Sequence, residues 1–186
     1  MNHKELYRLY TTEYTTNPRT GKPKKAARYI GKRWSLDKAE KKRMLICLWS
    51  GFALGSVGFV GCGFVYTQVV HCLYVMPFYL FTLLALFYLG QGCVSLSGGG
   101  LVMDEIRQLD GRRRTERSAL AMMILGGGQS LGCLVWLILN GFEGGCLIWL
   151  LGGLVTAASG WLAKYGTGLL HPVLMEEEKE EQREAD

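Results

Sequence analysis

Between Met44 and Met103 the chain contains no lysine, arginine, aspartate or glutamate, and between Ser118 and Ala163 it contains one charge, Glu143. An ordinary soluble domain of 186 residues disperses its charges along the chain, so these two runs exclude that class. Each is about twice the roughly 20 residues that a helix rising about 1.5 Å per residue needs to cross about 30 Å of hydrocarbon. The arithmetic predicts an all-α integral membrane protein with four spans, at 44–67, 76–100, 119–140 and 145–164. Pro77 and the polar TQVVH patch separate the first two spans, and NGFEGG separates the last two, so each run is expected to form a helical hairpin.

Histidine is scarce too. His3, His71 and His171 stand far apart, with no serine or carboxylate at a motif spacing to any of them. There is no phosphate-binding GxxxxGK, no dinucleotide glycine fingerprint after a strand and no HExxH. CxxC does not occur, and no Cys/His cluster has zinc-ligand spacing. These absences predict no catalytic residues, no metal ligands and no cofactor. Of the six cysteines, Cys47, Cys62, Cys93 and Cys133 fall inside expected spans and read as small apolar side chains. Cys72 and Cys146, one per outer turn, are the pair placed for a disulfide. The first 43 residues are hydrophilic, so no cleavable leader is expected there.

Positive charge is distributed unevenly. Thirteen of the 21 Lys and Arg precede the first span, five lie between the second and third, and Lys164, Lys179 and Arg183 close and follow the fourth. The two hairpin turns carry none. The positive-inside rule then predicts a multi-pass protein of the plasma or inner membrane with both termini cytoplasmic. Beside span 1, Lys38, Lys41, Lys42 and Arg43 form one basic cluster; beside span 3, Arg112, Arg113, Arg114 and Arg117 form another. Each cation near an anionic leaflet gains about 1 kcal/mol, so contact with anionic lipid of the inner leaflet is expected, and specific nucleic-acid binding is not.

Glycine is abundant where a soluble helix would not tolerate it, with five in GFALGSVGFVGCG, residues 51–63. In lipid the backbone has no water to bond with and stays helical despite poor propensity. Gly51, Gly55 and Gly58 fall on one helix face, as do Gly153, Ala157 and Gly160 in span 4 and Gly128 with Gly132 in span 3. Such strips let helices approach closely, and they are the candidate packing residues. Gln91 in span 2 and Gln129 in span 3, both in the inner half, are the candidates for a polar path.

Residues 1–36 read as a basic cytoplasmic β-hairpin, with strands around YRLYTTEYTT and KKAARYIG and a turn at NPRTGK. Residues 37–164 form the membrane domain, and 165–186 an acidic cytoplasmic tail. A lone hairpin is marginal in water and needs a partner. With no charge inside the spans, the expected function is a non-enzymatic membrane scaffold or accessory subunit, as a homo-oligomer or with a membrane-complex partner. The alternative is a small oligomeric channel or transporter with a glycine- and glutamine-lined path.

Overall fold

A computed structural model describes residues 10–16, 23–29, 33–98, 100–169, 171, 173 and 174. Its frame is four helices, α1 (Lys38–Gly63), α2 (Met76–Ser97), α3 (Glu105–Asn140) and α4 (Gly144–Gly168), each containing a stretch long and apolar enough to cross a membrane. At most 39% of each most apolar window is buried within the bundle, which leaves an apolar exterior suited to lipid. The chain is a helical bundle whose four apolar helices are compatible with a multi-pass membrane protein.

Local chemistry sets the helix ends. Asp37 caps α1, its carboxylate accepting from the Glu40 amide at 3.4 Å, as the D-x-x-E spacing implies. The helix then runs through Gly51, Gly55 and Gly58 to Gly63, four residues short of the expected 67. It stops there because Thr67 caps a separate 3-10 turn, Gln68–His71, its hydroxyl accepting from the Val69 amide at 3.4 Å, and Val69 is buried in the core. Pro77 sits in the first turn of α2, where a missing N–H costs nothing. Helix α3 begins at Glu105, well before the expected 119, and exposed pairs Arg112–Glu116 at 2.8 Å and Arg114–Asp110 at 3.7 Å lie along that extension. The turn from α3 to α4 uses Gly141 at φ +88°, a conformation that favours glycine. Helix α4 continues past the expected 164 to Gly168.

Helix α1 packs chiefly on α4, α4 on α3, and α3 on α2, while α1 and α2 meet each other less extensively than any of these three pairs. Of the two hairpins, α3 with α4 is the more closely packed pair, and α1 and α2 meet each other at fewer points. Two apolar clusters fill the interior. Met44, Leu48, Leu89, Leu96 and Met122 lie toward the end where α1 and α3 begin, here the basic end. Val69, Val75, Trp136 and Trp149 lie toward the end bearing the two hairpin turns. There Phe59 stacks on Tyr79 with centroids 4.4 Å apart, and Tyr79 leans on Trp149 at 4.8 Å.

Strands appear before and between the helices. β1 (Tyr10–Thr16) pairs antiparallel with β2 (Pro23–Tyr29), Tyr10 opposite Tyr29; the turn proposed at residues 17–22 lies outside the described residues. β3 (Arg33–Ser35) is the centre of a second sheet, flanked by β4 (Val102–Asp104) and β5 (Val173–Leu174). That sheet joins the segment before α1, the α2–α3 connection and the chain after α4. The sequence reading assigned the last of these to the acidic tail, most of which lies outside the described residues.

Candidate functional site

The interior of the bundle is polar at a few points, each tied to backbone. Gln129 is only 2% exposed; its amide nitrogen donates to the Trp149 carbonyl at 3.1 Å and to Cys62 Sγ at 3.4 Å. Ser130 Oγ lies 2.9 Å from the Gly126 carbonyl and 3.1 Å from that of Leu150, which links α3 to α4. Thr156 donates to the Gly152 carbonyl at 2.9 Å and Ser159 to that of Thr156 at 2.7 Å. The Trp149 indole N–H reaches the Val65 carbonyl at 3.1 Å.

The two glutamines offered as a shared path are not brought together. Gln129 is inside, whereas Gln91 is exposed on the outer surface of α2 and lines an outward-facing cavity with Phe52, Gly90, Ser95 and Arg114. A helix places residues on different faces according to the 100° step, and sequence depth alone could not say which face each residue took.

The glycine strips meet other helices closely. A Cβ at Gly51 would lie 2.9 Å from the Ser159 carbonyl oxygen, one at Gly58 2.9 Å from that of Gly152, and one at Gly55 would press on Met122 Cε and lie 2.8 Å from Ser159 Oγ. A Cβ at Gly128 would lie 2.6 Å from the Phe78 ring, and one at Gly132 2.8 Å from the Val75 side chain. A Cβ at Gly160 would lie 2.5 Å from the Ala119 carbonyl oxygen, and one at Gly153 would press on Ser130 Oγ. Ala157 is half-buried, with its amide nitrogen 2.6 Å from the Cβ position of Gly126. Gly126 and Gly152 were not singled out by spacing, yet a Cβ at Gly126 would lie 2.5 Å from the Gly153 carbonyl oxygen and one at Gly152 would press on Cys62 Sγ. Gly126 stands two residues before Gly128 and so fell on a different face from the strip that was counted.

All four cations beside α1 were expected at the lipid surface, and Lys41 is the exception. It is buried, and its ammonium donates to the Gly100 carbonyl at 2.7 Å, anchoring the α2–α3 connection to α1. Lys38, Lys42 and Arg43 are exposed. In α3, Arg113, Arg114 and Arg117 are exposed, and Arg112 pairs with Glu116. The Cys72–Cys146 bridge is absent: all six cysteines are free, and Cys146 is buried with its thiol directed to the Cys133 carbonyl at 3.4 Å.

Between α2 and α3 runs a groove of about 460 Å³, lined by Phe81, Leu84, Ala85 and Tyr88 on one side and Arg114, Arg117, Ser118, Ala121 and Leu125 on the other. Arg114 also borders the cavity of about 490 Å³ that contains Gln91 and Ser95. The groove is therefore apolar along its length and cationic at the basic end. Among the described residues no cluster of His, Cys, Asp and Glu has the geometry to hold a metal ion. No protein-family model matches this chain, and neither a characterised protein nor a solved structure matches it. The chemistry of its own residues therefore carries the functional argument.

Proposed function

We propose that the chain is a non-enzymatic membrane scaffold or accessory subunit, in which the helical bundle anchors and the segment before α1 recruits a partner. The observation that supports it most is the state of the interior: the buried side chains of Gln129, Ser130, Thr156 and Ser159 are engaged with carbonyls of the bundle, so none is held in reserve for a passing solute. The basic end faces the cytoplasm in this reading, because the flanks of α1 and α3 carry the Lys and Arg clusters and the opposite turns carry none. The glycine strips are the seams through which the helices approach.

The β1–β2 pair is a two-stranded unit on the cytoplasmic side, and such a unit gains stability by adding to a partner's surface or sheet. The test compares membranes containing the full chain with membranes containing a chain that begins at residue 33, after chemical crosslinking. A partner that co-purifies with the full chain and is lost with the shortened one, while both bundles melt at the same temperature, is the expected result. Retention of the same partner by the shortened chain would assign recruitment to the bundle instead.

A further inference from the structure

Among the described residues, three side chains on one stripe of the surface, those of Gln91, Ser95 and Arg117, have no hydrogen-bond or ion-pair partner. Gln91 faces outward and makes no hydrogen bond among the described residues, in contrast to Gln129. Thr82, Ser97, Ser118 and Ser130 each donate to a carbonyl four residues back, whereas Ser95, one turn from Gln91, makes no such bond. Arg117 is exposed and forms no ion pair among the described residues. Arg114, between them, meets Asp110 only at 3.7 Å, with both side chains about half exposed, so that pair holds it weakly. At the depth of the lipid headgroups such polar side chains bond to water or to a headgroup, so this stripe is open to a polar, anionic lipid group.

We infer that the α2–α3 groove binds one anionic glycerophospholipid, its phosphate held by Arg114 and Arg117, its headgroup hydrogen-bonded by Gln91 and Ser95, and one acyl chain lying between Leu84 and Ala121. Guanidinium groups match phosphate oxygens with paired N–H donors, and the two arginines are three residues apart on α3, hence neighbours on one face. Phe81, Leu84 and Tyr88 supply an apolar wall that continues from the cations toward the middle of the bilayer. A basic pocket between spans at the membrane surface is where such headgroups dock. The inference rests on the membrane reading but not on recruitment, and its test uses no partner protein.

The full chain is purified in mild detergent and offered equal amounts of phosphatidylglycerol and phosphatidylcholine with identical acyl chains, and bound lipid is counted by native mass spectrometry. One phosphatidylglycerol per chain should be retained, favoured about tenfold over phosphatidylcholine. The double substitution Arg114→Gln, Arg117→Gln should abolish the preference, Gln91→Leu should reduce it, and Arg113→Gln, exposed beside them, should leave it unchanged. Inorganic phosphate should fail to displace the lipid, and a phosphatidylglycerol with six-carbon chains should compete poorly, because the groove contributes through the acyl chain. Equal retention of the two lipids, equal loss on Arg113→Gln, or displacement by phosphate alone would overturn the proposal. These arginines and Gln91 are exposed, and melting in lipid-free detergent verifies that each variant keeps the bundle.

Discussion

At Gly126 a methyl group would stand 2.5 Å from the Gly153 carbonyl oxygen and 2.6 Å from the Ala157 amide nitrogen, both backbone atoms of α4. Backbone cannot rotate aside as a side chain can, so α3 and α4 would have to separate. At Gly127, one residue on, the same methyl would meet nothing within 4 Å. Gly126→Ala should therefore destabilise the bundle by about 1–3 kcal/mol, the usual cost of overpacking, and Gly127→Ala should change it by less than about 0.5 kcal/mol. Thermal melts of the two variants in one detergent would check the contrast, and similar midpoints would mean that α3 and α4 are not in register as described. The sequence held part of this information. The four-then-three spacing of Gly51, Gly55 and Gly58 marks one face of α1, but spacing identifies a face and not its neighbour. Gly126 could be recognised only once α3 and α4 were seen side by side. Lys41 is a similar case, since its charge placed it in a cationic cluster and only the fold turns its ammonium to the Gly100 carbonyl.

For whole elements, hydropathy was the better guide. Lipid imposes a minimum length on an uncharged helix, so four spans followed from two long runs, one without charge and one interrupted only by Glu143. Their ends did not follow, because ends depend on capping and on neighbours. Thr67 folds the chain into a 3-10 turn that carries Val69 into the core, and α3 extends through the charged stretch from Glu105. The strand Val173–Leu174 pairs with Ser35 and Trp34, a long-range choice invisible to local composition. Among the helices, α1 depends on α4 more than on its sequence neighbour α2. Gly55, wedged against Met122 of α3, Ser159 of α4 and Leu86 of α2, is the point where the change Gly55→Leu should disrupt all three contacts. Leu54→Ala, on a side chain 47% exposed, should be tolerated. The measurement is the fraction of each variant that remains monodisperse in detergent after heating. Equal survival would place the glycine face of α1 toward lipid.

At the scale of the whole molecule, orientation and transport can be tested together. The chain after α3 turns at Gly141 and leaves Phe142 81% exposed, while Ser35 sits in the sheet at the basic end. In a cysteine-free background, a thiol at Phe142 should react with an impermeant reagent applied to intact cells and a thiol at Ser35 should not; the reverse pattern would invert the topology. Coupled transport needs ionisable groups that change charge within the bilayer, and from Met44 to Gly63, Met76 to Ser97, Ser118 to Asn140 and Gly144 to Ala163 there is no Lys, Arg, Asp, Glu or His. An uncharged pore would instead need a continuous wet lining, but Gln91 is on the outer surface, whereas Gln129 is buried and bonded to the Trp149 carbonyl. Reconstituted liposomes should thus show no proton-driven uptake and no ion leak above empty vesicles. Gln129→Leu should cost only about 0.6 kcal/mol of bundle stability, the typical worth of an interhelical hydrogen bond in a membrane, and should leave the leak unchanged. Conductance that appears with the native chain and falls with Gln129→Leu would replace the scaffold with a channel, because a side chain that serves only to join helices has no means of controlling a current.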